Sequence, residues 1–598
     1  MLNKSPLSIW LSKIKLAHVS LALAGLMLVF PFLHYRHENP LTTFDQEWWS
    51  ALLGLLALTV LVTRDFWQQP DVPRIAQLPI ALIVVVLLQL TLGKLAYFNQ
   101  ALLYVLYLLF TALMMLLGAK LRACFGVEKL AAALAIFLLI GAELNTLIGV
   151  LQHYQLHTPL DAVVVMQISA SVYGNLAQPN HFADYIALGL ISLGLLFHQR
   201  KLRSSHVILL AVPLLFALTL SGSRSSWLYM LVIVGFAWWL ARRDITLRPL
   251  LRYGVLLVVG FGLMNLLVQM SFMTGADSGT DTLQRLIANN GGDTNGSIRL
   301  HLWYEACLIF MQAPWLGVGF GQFAWHHFEL LPVLRAGNIS GLYNNAHNLI
   351  FQLAAETGMA GLLALFVSLG IWVHGLRGVK PGAAYWWGYA SLGVLATHSL
   401  LEYPLWYAYF LAVAAVLLGA FDETRYRLTT PRLWGVSLLA ILLLGLISLV
   451  HLRGDYRQLK GTSAIASASD ATEANRRIRE NLLAVQGSSL LSPYAEMMIL
   501  SLAEVNADHI KQKIALGNNV MHFDPIAAAV YRQAYFLAQD GQLGAARQLL
   551  DQAIWSYPGN SEAHKLLLDL AEKDPAHFSA LLEFANQKEQ ERARAVHQ

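Results

Sequence analysis

Three residues of this 598-residue chain have the types and settings for group-transfer chemistry: Arg224, Arg299 and His347. Arg224 lies in Leu220-Ser-Gly-Ser-Arg-Ser-Ser-Trp227, a tight turn between two apolar runs. It reads either as a rim arginine snorkelling to water or as an anion clamp helped by hydroxyls and helix-start amides. Arg299 lies in Ser297-Ile-Arg-Leu-His-Leu-Trp303. Alone it fits a solvated face or an ion pair; with Arg224 it makes a second cation for a diphosphate, which guanidinium groups hold bidentately. His347, in Tyr343-Asn-Asn-Ala-His-Asn-Leu349, stands where a long loop enters an apolar run. There it can be a packing or capping residue, or, where a helix start disfavours positive charge, a neutral general base. Glu356, nine residues on, is either a structural partner or part of the same site. Asp45 and Glu47 could together hold a divalent cation, or belong to a hydrated loop before Trp48 and Trp49. Glu402, Tyr403 and Tyr407, in His398-Ser-Leu-Leu-Glu-Tyr-Pro-Leu-Trp-Tyr407, could bind sugar hydroxyls or an acceptor, or make structural hydrogen bonds.

The elements that must position these residues lie in lipid. Apolar residues make up 56% of the chain and charged ones 13%, about half the charged share of a soluble domain. The apolar runs fall at 16–34, 48–64, 76–93, 100–118, 129–150, 180–198, 206–221, 225–241, 250–270, 346–373, 383–401, 404–421 and 433–451. Each is long enough to approach a roughly 30 Å hydrocarbon layer, and each must be helical, because an isolated strand leaves its backbone unsatisfied in lipid. Lys4, Lys13 and Lys15 precede the first run without a small-residue cleavage site, so that run reads as a retained helix.

Lys and Arg alternate between loop sets. One set holds Arg64 and Arg74; Lys120, Arg122 and Lys129; Arg200, Lys201 and Arg203; Arg242, Arg243, Arg248 and Arg252; Arg377 and Lys380; Arg425, Arg427 and Arg432. The positive-inside tendency makes this set cytoplasmic. The N-terminus is then inside, and about thirteen spans carry the C-terminus outside. On the outer side lie the loop 151–179, which lacks Lys and Arg, and the loop 271–345, flexible from Gly275 to Gly296 and ordered from Ser297 on. Gly317, Gly319 and Gly321 follow no strand and are not read as a nucleotide loop. The chain thus divides into a membrane domain, 1–451, and a soluble tail, 452–598. In the tail Ala534, Leu537, Gly541, Ala546, Leu550, Ala553 and Pro558 fall at tetratricopeptide offsets, with flanking helices expected at 472–486, 492–516 and 561–585. The net charge of +5 is spread over loops and offers nucleic acid no footprint, and Cys124 and Cys307 have no metal-ligand spacing.

Ser221-Gly-Ser-Arg-Ser, the stretch from Arg299 to Gly321, and Asn345-Ala-His-Asn-Leu-Ile-Phe-Gln-Leu-Ala-Ala-Glu-Thr-Gly358 together resemble the O-antigen ligase and polymerase superfamily. Pro31 to Trp48, Gly174-Asn-Leu-Ala-Gln-Pro-Asn-His181, His398 to Tyr407 and the helical tail resemble its pilin-glycosylating, O-linked oligosaccharyltransferase type. The resemblance implies an all-α, GT-C-like transmembrane bundle in a bacterial inner membrane, with a periplasmic site and tail. It implies transfer of a glycan in one block from undecaprenyl pyrophosphate to Ser or Thr of an exported, pilin-like protein, without nucleotide, metal or other cofactor. The matching positions make Arg224 and Arg299 the pyrophosphate-binding residues and His347 the base. Gln178, Asn180, His181, Glu402, Tyr403 and Tyr407 are then candidates for substrate or acceptor binding. A lipid A-core ligase or a glycan polymerase would share this site and differ in acceptor; a transporter of lipid-linked glycan is the remaining alternative.

Overall fold

The computed structural model describes residues 6–63, 66, 70–167, 171–270, 294–335, 339–428, 431–465, 471–487 and 489–596. Arg64 and the stretch from Gly275 to Asp293 lie outside the described residues. In chain order the main helices are α1 (Pro6–Met27), α2 (Phe44–Ala57), α3 (Gln77–Thr91), α4 (Phe98–Phe125), α5 (Val127–His153), α6 (Pro179–His198), α7 (Ser204–Leu220), α8 (Ser225–Ala241), α9 (Arg248–Val268), α10 (Thr294–Gln312) and α11 (Phe323–Leu334). They continue as α12 (Leu349–Gly375), α13 (Ala383–Ser399), α14 (Ala408–Phe421), α15 (Pro431–Ile465), α16 (Ala471–Gln486), α17 (Ser492–Leu502), α18 (Ile510–Phe523), α19 (Ala527–Gln539), α20 (Leu543–Ser556), α21 (Ser561–Lys573) and α22 (Pro575–Val596). Among the described residues, eight helical segments are long and apolar enough to cross a membrane, and α7, α8 and α14 are shorter apolar helices. The chain is an all-α, multi-pass membrane protein.

Several boundaries differ from the sequence expectation for local reasons. The run 404–421 becomes helical only at Ala408, because Pro404–Trp406 forms a separate turn. The run 433–451 continues as helix to Ile465. The expected tail helix 492–516 is two helices, parted by a turn in which Asn506 Oδ1 accepts from the amide of Asp508. The expected helix 561–585 breaks before Pro575, which has no amide hydrogen and opens α22 instead.

The fold comprises two compact units: residues 1–80, 107–293 and 365–449, and residues 81–106, 294–364 and 450–598. In the first, backbones approach closely at small residues, as is usual where helices associate in lipid. A Cβ on Gly118 would meet the Val416 carbonyl oxygen at 2.0 Å, and one on Gly419 would meet the Met115 carbonyl oxygen at 1.9 Å. Phe32 stacks on Tyr185 at 4.1 Å between ring centres.

The second unit is organised around a break in α12. At Gly358 the backbone leaves helical geometry, with φ 60° and ψ −156°. An unbroken helix would pair the amides of Met359 and Ala360 with the carbonyls of Ala355 and Glu356. Instead those amides donate to Pro314 O (2.8 Å) and Trp315 O (3.0 Å), while the carbonyls accept from the amides of Val318 (3.1 Å) and Gly319 (3.1 Å). The Gly-rich loop thus supplies what the helix loses. Gln89 completes the joint, donating to Leu316 O (2.6 Å) and Glu356 O (2.7 Å) and accepting from the amide of Phe320 (2.9 Å). Gly317, Gly319 and Gly321 all have positive φ here, and a Cβ on Gly317 would lie 2.2 Å from the Glu356 carbonyl group.

The tail belongs to this same unit. Helices α19 and α20 form a hairpin turning at Gly541, φ 78°, with Ala534, Ala546, Leu550 and Ala553 buried between helices. Phe328 of α11 is fully buried in the tail's core. The Gly341 amide donates to Ser556 O (2.7 Å), and Arg592 donates to Trp555 O (3.1 Å) and Ile339 O (3.2 Å). Tyr97 and Asn99 reach Glu496 (2.7 Å) and Ser489 O (2.8 Å).

The break gives a direct expectation. A methyl group at Gly358 would sit 2.6 Å from the Gly317 nitrogen and 2.7 Å from Pro314 O, at a positive φ. Gly358→Ala should destabilise the chain by about 3 kcal/mol, visible as a lowered thermal midpoint of the purified protein in detergent. An unchanged midpoint would mean that the joint is not tight.

Candidate functional site

In the first unit the polar residues gather at the start of α6. Pro179 occupies the first turn, where its missing amide hydrogen costs nothing, and the Gln178 side chain accepts from the His181 amide (2.5 Å) as the helix cap. Asn180 then joins three segments. Its Nδ2 donates to Glu402 Oε1 (2.8 Å), and its Oδ1 accepts from Ser223 Oγ (2.7 Å). Arg224 follows Ser223 and forms the start of α8, partly buried. The His181 ring packs edge-on against Tyr407 (5.0 Å), His398 (5.3 Å) and Phe410 (5.2 Å). Tyr403 stacks on Tyr407 at 5.8 Å, and the Tyr229 hydroxyl pairs with His398 Nδ1 at 2.8 Å. The expected residues Gln178, Asn180, His181, Glu402, Tyr403 and Tyr407 therefore converge, and Arg224 adjoins them through Ser223.

Other motif residues are structural. Asn175 Nδ2 donates to Leu33 O and Val163 O, both at 2.8 Å, and so ties down the loop before α6. Glu47 accepts from the hydroxyls of Thr43 (2.7 Å) and Tyr107, which engages both carboxylate oxygens within the fold. Cys124 and Cys307 are free thiols.

Arg299 and His347 belong to the second unit. Helix α10 runs beside the first half of α12 in the same direction: Trp303 stacks on Phe351 at 5.3 Å, and further along Pro314 O meets the Met359 amide. Arg299 precedes Trp303 by one helical turn, and His347 precedes Phe351 by four residues. The cation and the imidazole therefore lie at the same end of the paired helices, and both are partly buried. His347 has φ 52°, a left-handed conformation uncommon for a side-chain-bearing residue. Its amide donates to Asn345 Oδ1 (2.8 Å), and Asn348 caps α12 by accepting from the amides of Ile350 (3.0 Å) and Phe351 (3.3 Å). Capping on one side and an Asx turn on the other hold this conformation against its cost of about 1–3 kcal/mol. Glu356 accepts from the Phe323 amide (3.2 Å) and is fully buried, so it positions the start of α11.

Sequence reasoning missed a buried acid–imidazole cluster beside His347. Glu305 on α10 accepts from His301 (2.9 Å), one turn before it, and from His327 Nδ1 on α11 (2.7 Å). Glu305 and His327 are fully buried. His327 packs edge-on against Tyr343 (5.5 Å), which in turn meets His347 (6.4 Å). The four-residue spacing of His301 and Glu305 was a readable signal; the arrival of His327 from another helix was not. Asp184, one turn below Asn180 and fully buried in α6, was also passed over, although an acid in an apolar run marks itself.

Three family models match the regions that supply these residues. The O-antigen ligase model matches residues 208–366, which include Arg224, Arg299 and His347. The protein glycosylation ligase model matches 172–197, which include Gln178, Asn180 and His181. The model of the virulence factor membrane-bound polymerase C-terminal region matches 386–568, from Glu402 and the tyrosines into the tail. These matches and two curated relatives support a protein O-oligosaccharyltransferase of the O-antigen ligase and polymerase superfamily. The chain is a glycosyltransferase. It is 28% identical over 447 residues to a general O-oligosaccharyltransferase of Acinetobacter baylyi, covering 71% of this chain and 75% of that one. It is also 24% identical over 375 residues to a ComP-specific O-oligosaccharyltransferase of the same organism, covering 62% of this chain and 65% of that relative, just under two thirds of its length.

The Glu305 cluster has a pH signature. Burial pushes the Glu305 carboxyl up, but the hydrogen bonds and charge of His301 and His327 together outweigh it, leaving Glu305 below the usual carboxylate range. A depressed carboxyl stabilises the fold above its unfolded value, about 4.3, and this contribution is lost as pH falls through the folded value. Glu305→Gln should cost about 3 kcal/mol at pH 7, with the gap to the native chain narrowing as the pH drops below about 4.3. Thermal unfolding across pH measures this; a gap that stays constant would remove Glu305 as the charged partner.

Proposed function

We propose that this oligosaccharyltransferase moves a glycan en bloc from undecaprenyl pyrophosphate to a Ser or Thr hydroxyl of an exported protein such as a pilin, with inversion and without a metal. The observation that carries the reading is the placement of Arg299 and His347 at one end of the paired helices α10 and α12. The relatives' activities support it. In the proposed step His347 takes the proton from the acceptor hydroxyl as its oxygen attacks the anomeric carbon. The bond from that carbon to the pyrophosphate oxygen breaks, and undecaprenyl pyrophosphate leaves with the electron pair. Arg224 and Arg299 neutralise its growing charge. Gln178, Asn180, His181, Glu402, Tyr403 and Tyr407 are assigned to substrate or acceptor, with amide, carboxylate and aromatic faces suited to sugar hydroxyls.

The proposal places the enzyme in a bacterial inner membrane, with about thirteen spans, a cytoplasmic N-terminus and a periplasmic site. Residues 1–451 form the membrane domain, including the loop 271–345, and 452–598 a tetratricopeptide-like tail. The burial of Phe328 in the tail core favours a tail that braces the loop leading to His347.

The test is expression in cells that make a lipid-linked glycan but lack their own ligase, with a candidate pilin supplied. Intact mass of the pilin and a blot of lipopolysaccharide are read together. A glycan-sized mass gain is expected, reduced about 10²–10⁴-fold in rate by His347→Ala. Decorated lipid A-core or lengthened glycan chains beside an unmodified pilin would move the activity to ligase or polymerase. Full transfer by His347→Ala would refute its role as base.

A further inference from the structure

A second polar cluster lies at the opposite end of α8 from Arg224, where α8 gives way to α9 in the first unit. Arg242, Arg243, Arg248 and Arg252 line one cavity of 740 Å³, together with Trp238, Ile245 and Leu251. Among the described residues no carboxylate lies within ion-pair distance of any of the four. The acid of the same turn, Asp244, is engaged locally: its Oδ1 accepts from the Thr246 amide (2.9 Å) and hydroxyl (2.7 Å). Two of the guanidinium groups lie over indole rings, Arg242 on Trp238 at 4.9 Å and Arg243 on Trp239 at 4.2 Å. Stacking fixes the plane of a guanidinium and leaves its in-plane donors for a second partner. Four cations about a single carboxylate, Asp244, keep a net positive charge and repel one another, and an outside anion relieves that repulsion.

The rest of the lining says which anion. Trp238 is 50% exposed and Ile245 64% exposed, so an apolar wall adjoins the basic one at the end of two apolar helices. A soluble phosphate has no use for that wall; an amphiphile has. We propose that this cavity binds the phosphate of an anionic phospholipid head group, with the start of the acyl chains lying along Trp238, Ile245 and Leu251. Basic pockets between membrane helices recognise such head groups. The site is independent of the donor-binding reading, and its lipid would act as a fixed part of the α8–α9 hairpin.

The experiment uses purified full-length protein in detergent with equimolar phosphatidylglycerol and phosphatidylcholine, and reads bound lipid by native mass spectrometry. Preferential retention of phosphatidylglycerol is expected, falling by roughly thirtyfold in the Arg248→Gln, Arg252→Gln double variant, at about one kcal/mol for each arginine removed. A matched variant, Arg200→Gln, Lys201→Gln and Arg203→Gln, alters a different basic loop and should leave the preference unchanged. Glycan transfer to the pilin, measured on all variants, establishes that each is folded. Equal binding of both lipids by the native chain would overturn the proposal, as would an equal loss in the Arg200 variant, which would mean diffuse charge and not a site. Inorganic phosphate that protects the chain thermally in the native form but not in the double variant, without any lipid preference, would assign the cavity to a soluble anion and overturn the lipid.

Discussion

The second unit depends on one exchange of backbone hydrogen bonds. Where α12 breaks at Gly358, two amides and two carbonyls are freed. In a membrane segment, unsatisfied groups of this kind cost several kcal/mol each. The Gly-rich loop ending α10 returns all four bonds and in doing so locks α10 against α12. Arg299 on one helix and His347 at the head of the other are thereby held in fixed relation. The glycines at 317, 319 and 321 serve this contact, since a side chain at Gly317 would displace the helix backbone itself.

The first unit solves a different problem, that of keeping polar side chains at the rim of a bundle. Asn180 does so by using both faces of its amide, donating to Glu402 and accepting from Ser223. A side chain that satisfies a carboxylate and a hydroxyl at once can be buried at little net cost. It also connects the start of α6, the turn carrying Arg224 and the turn carrying Glu402 and the tyrosines. The aromatic packing of His181 on His398 and Tyr407 lies directly beside it.

The tail is not an appendage of its own unit. Its core takes in Phe328, and its last helix hydrogen-bonds through Arg592 to the backbone of Ile339, eight residues before His347. The same short helix, α11, presents His327 to Glu305 on its other contacts. Phe328 and Arg592 thus tie the tail to the segment that leads to His347.

What the sequence determined by itself follows from local physics. Runs of apolar residues made helices in the expected order, because lipid leaves the backbone no other satisfied state. Arg224, Arg299 and His347 stood out because basic side chains are few in the loops read as outer. Gln178, Asn180, His181, Glu402, Tyr403 and Tyr407 were legible as separate motifs, but their gathering was not. Only tertiary structure decided the rest. The break at Gly358, the Glu305–His327 pair and the burial of Phe328 each require a partner from elsewhere in the chain. A hydrogen bond between segments distant in sequence leaves no periodicity in either one, so it becomes visible only when both are placed.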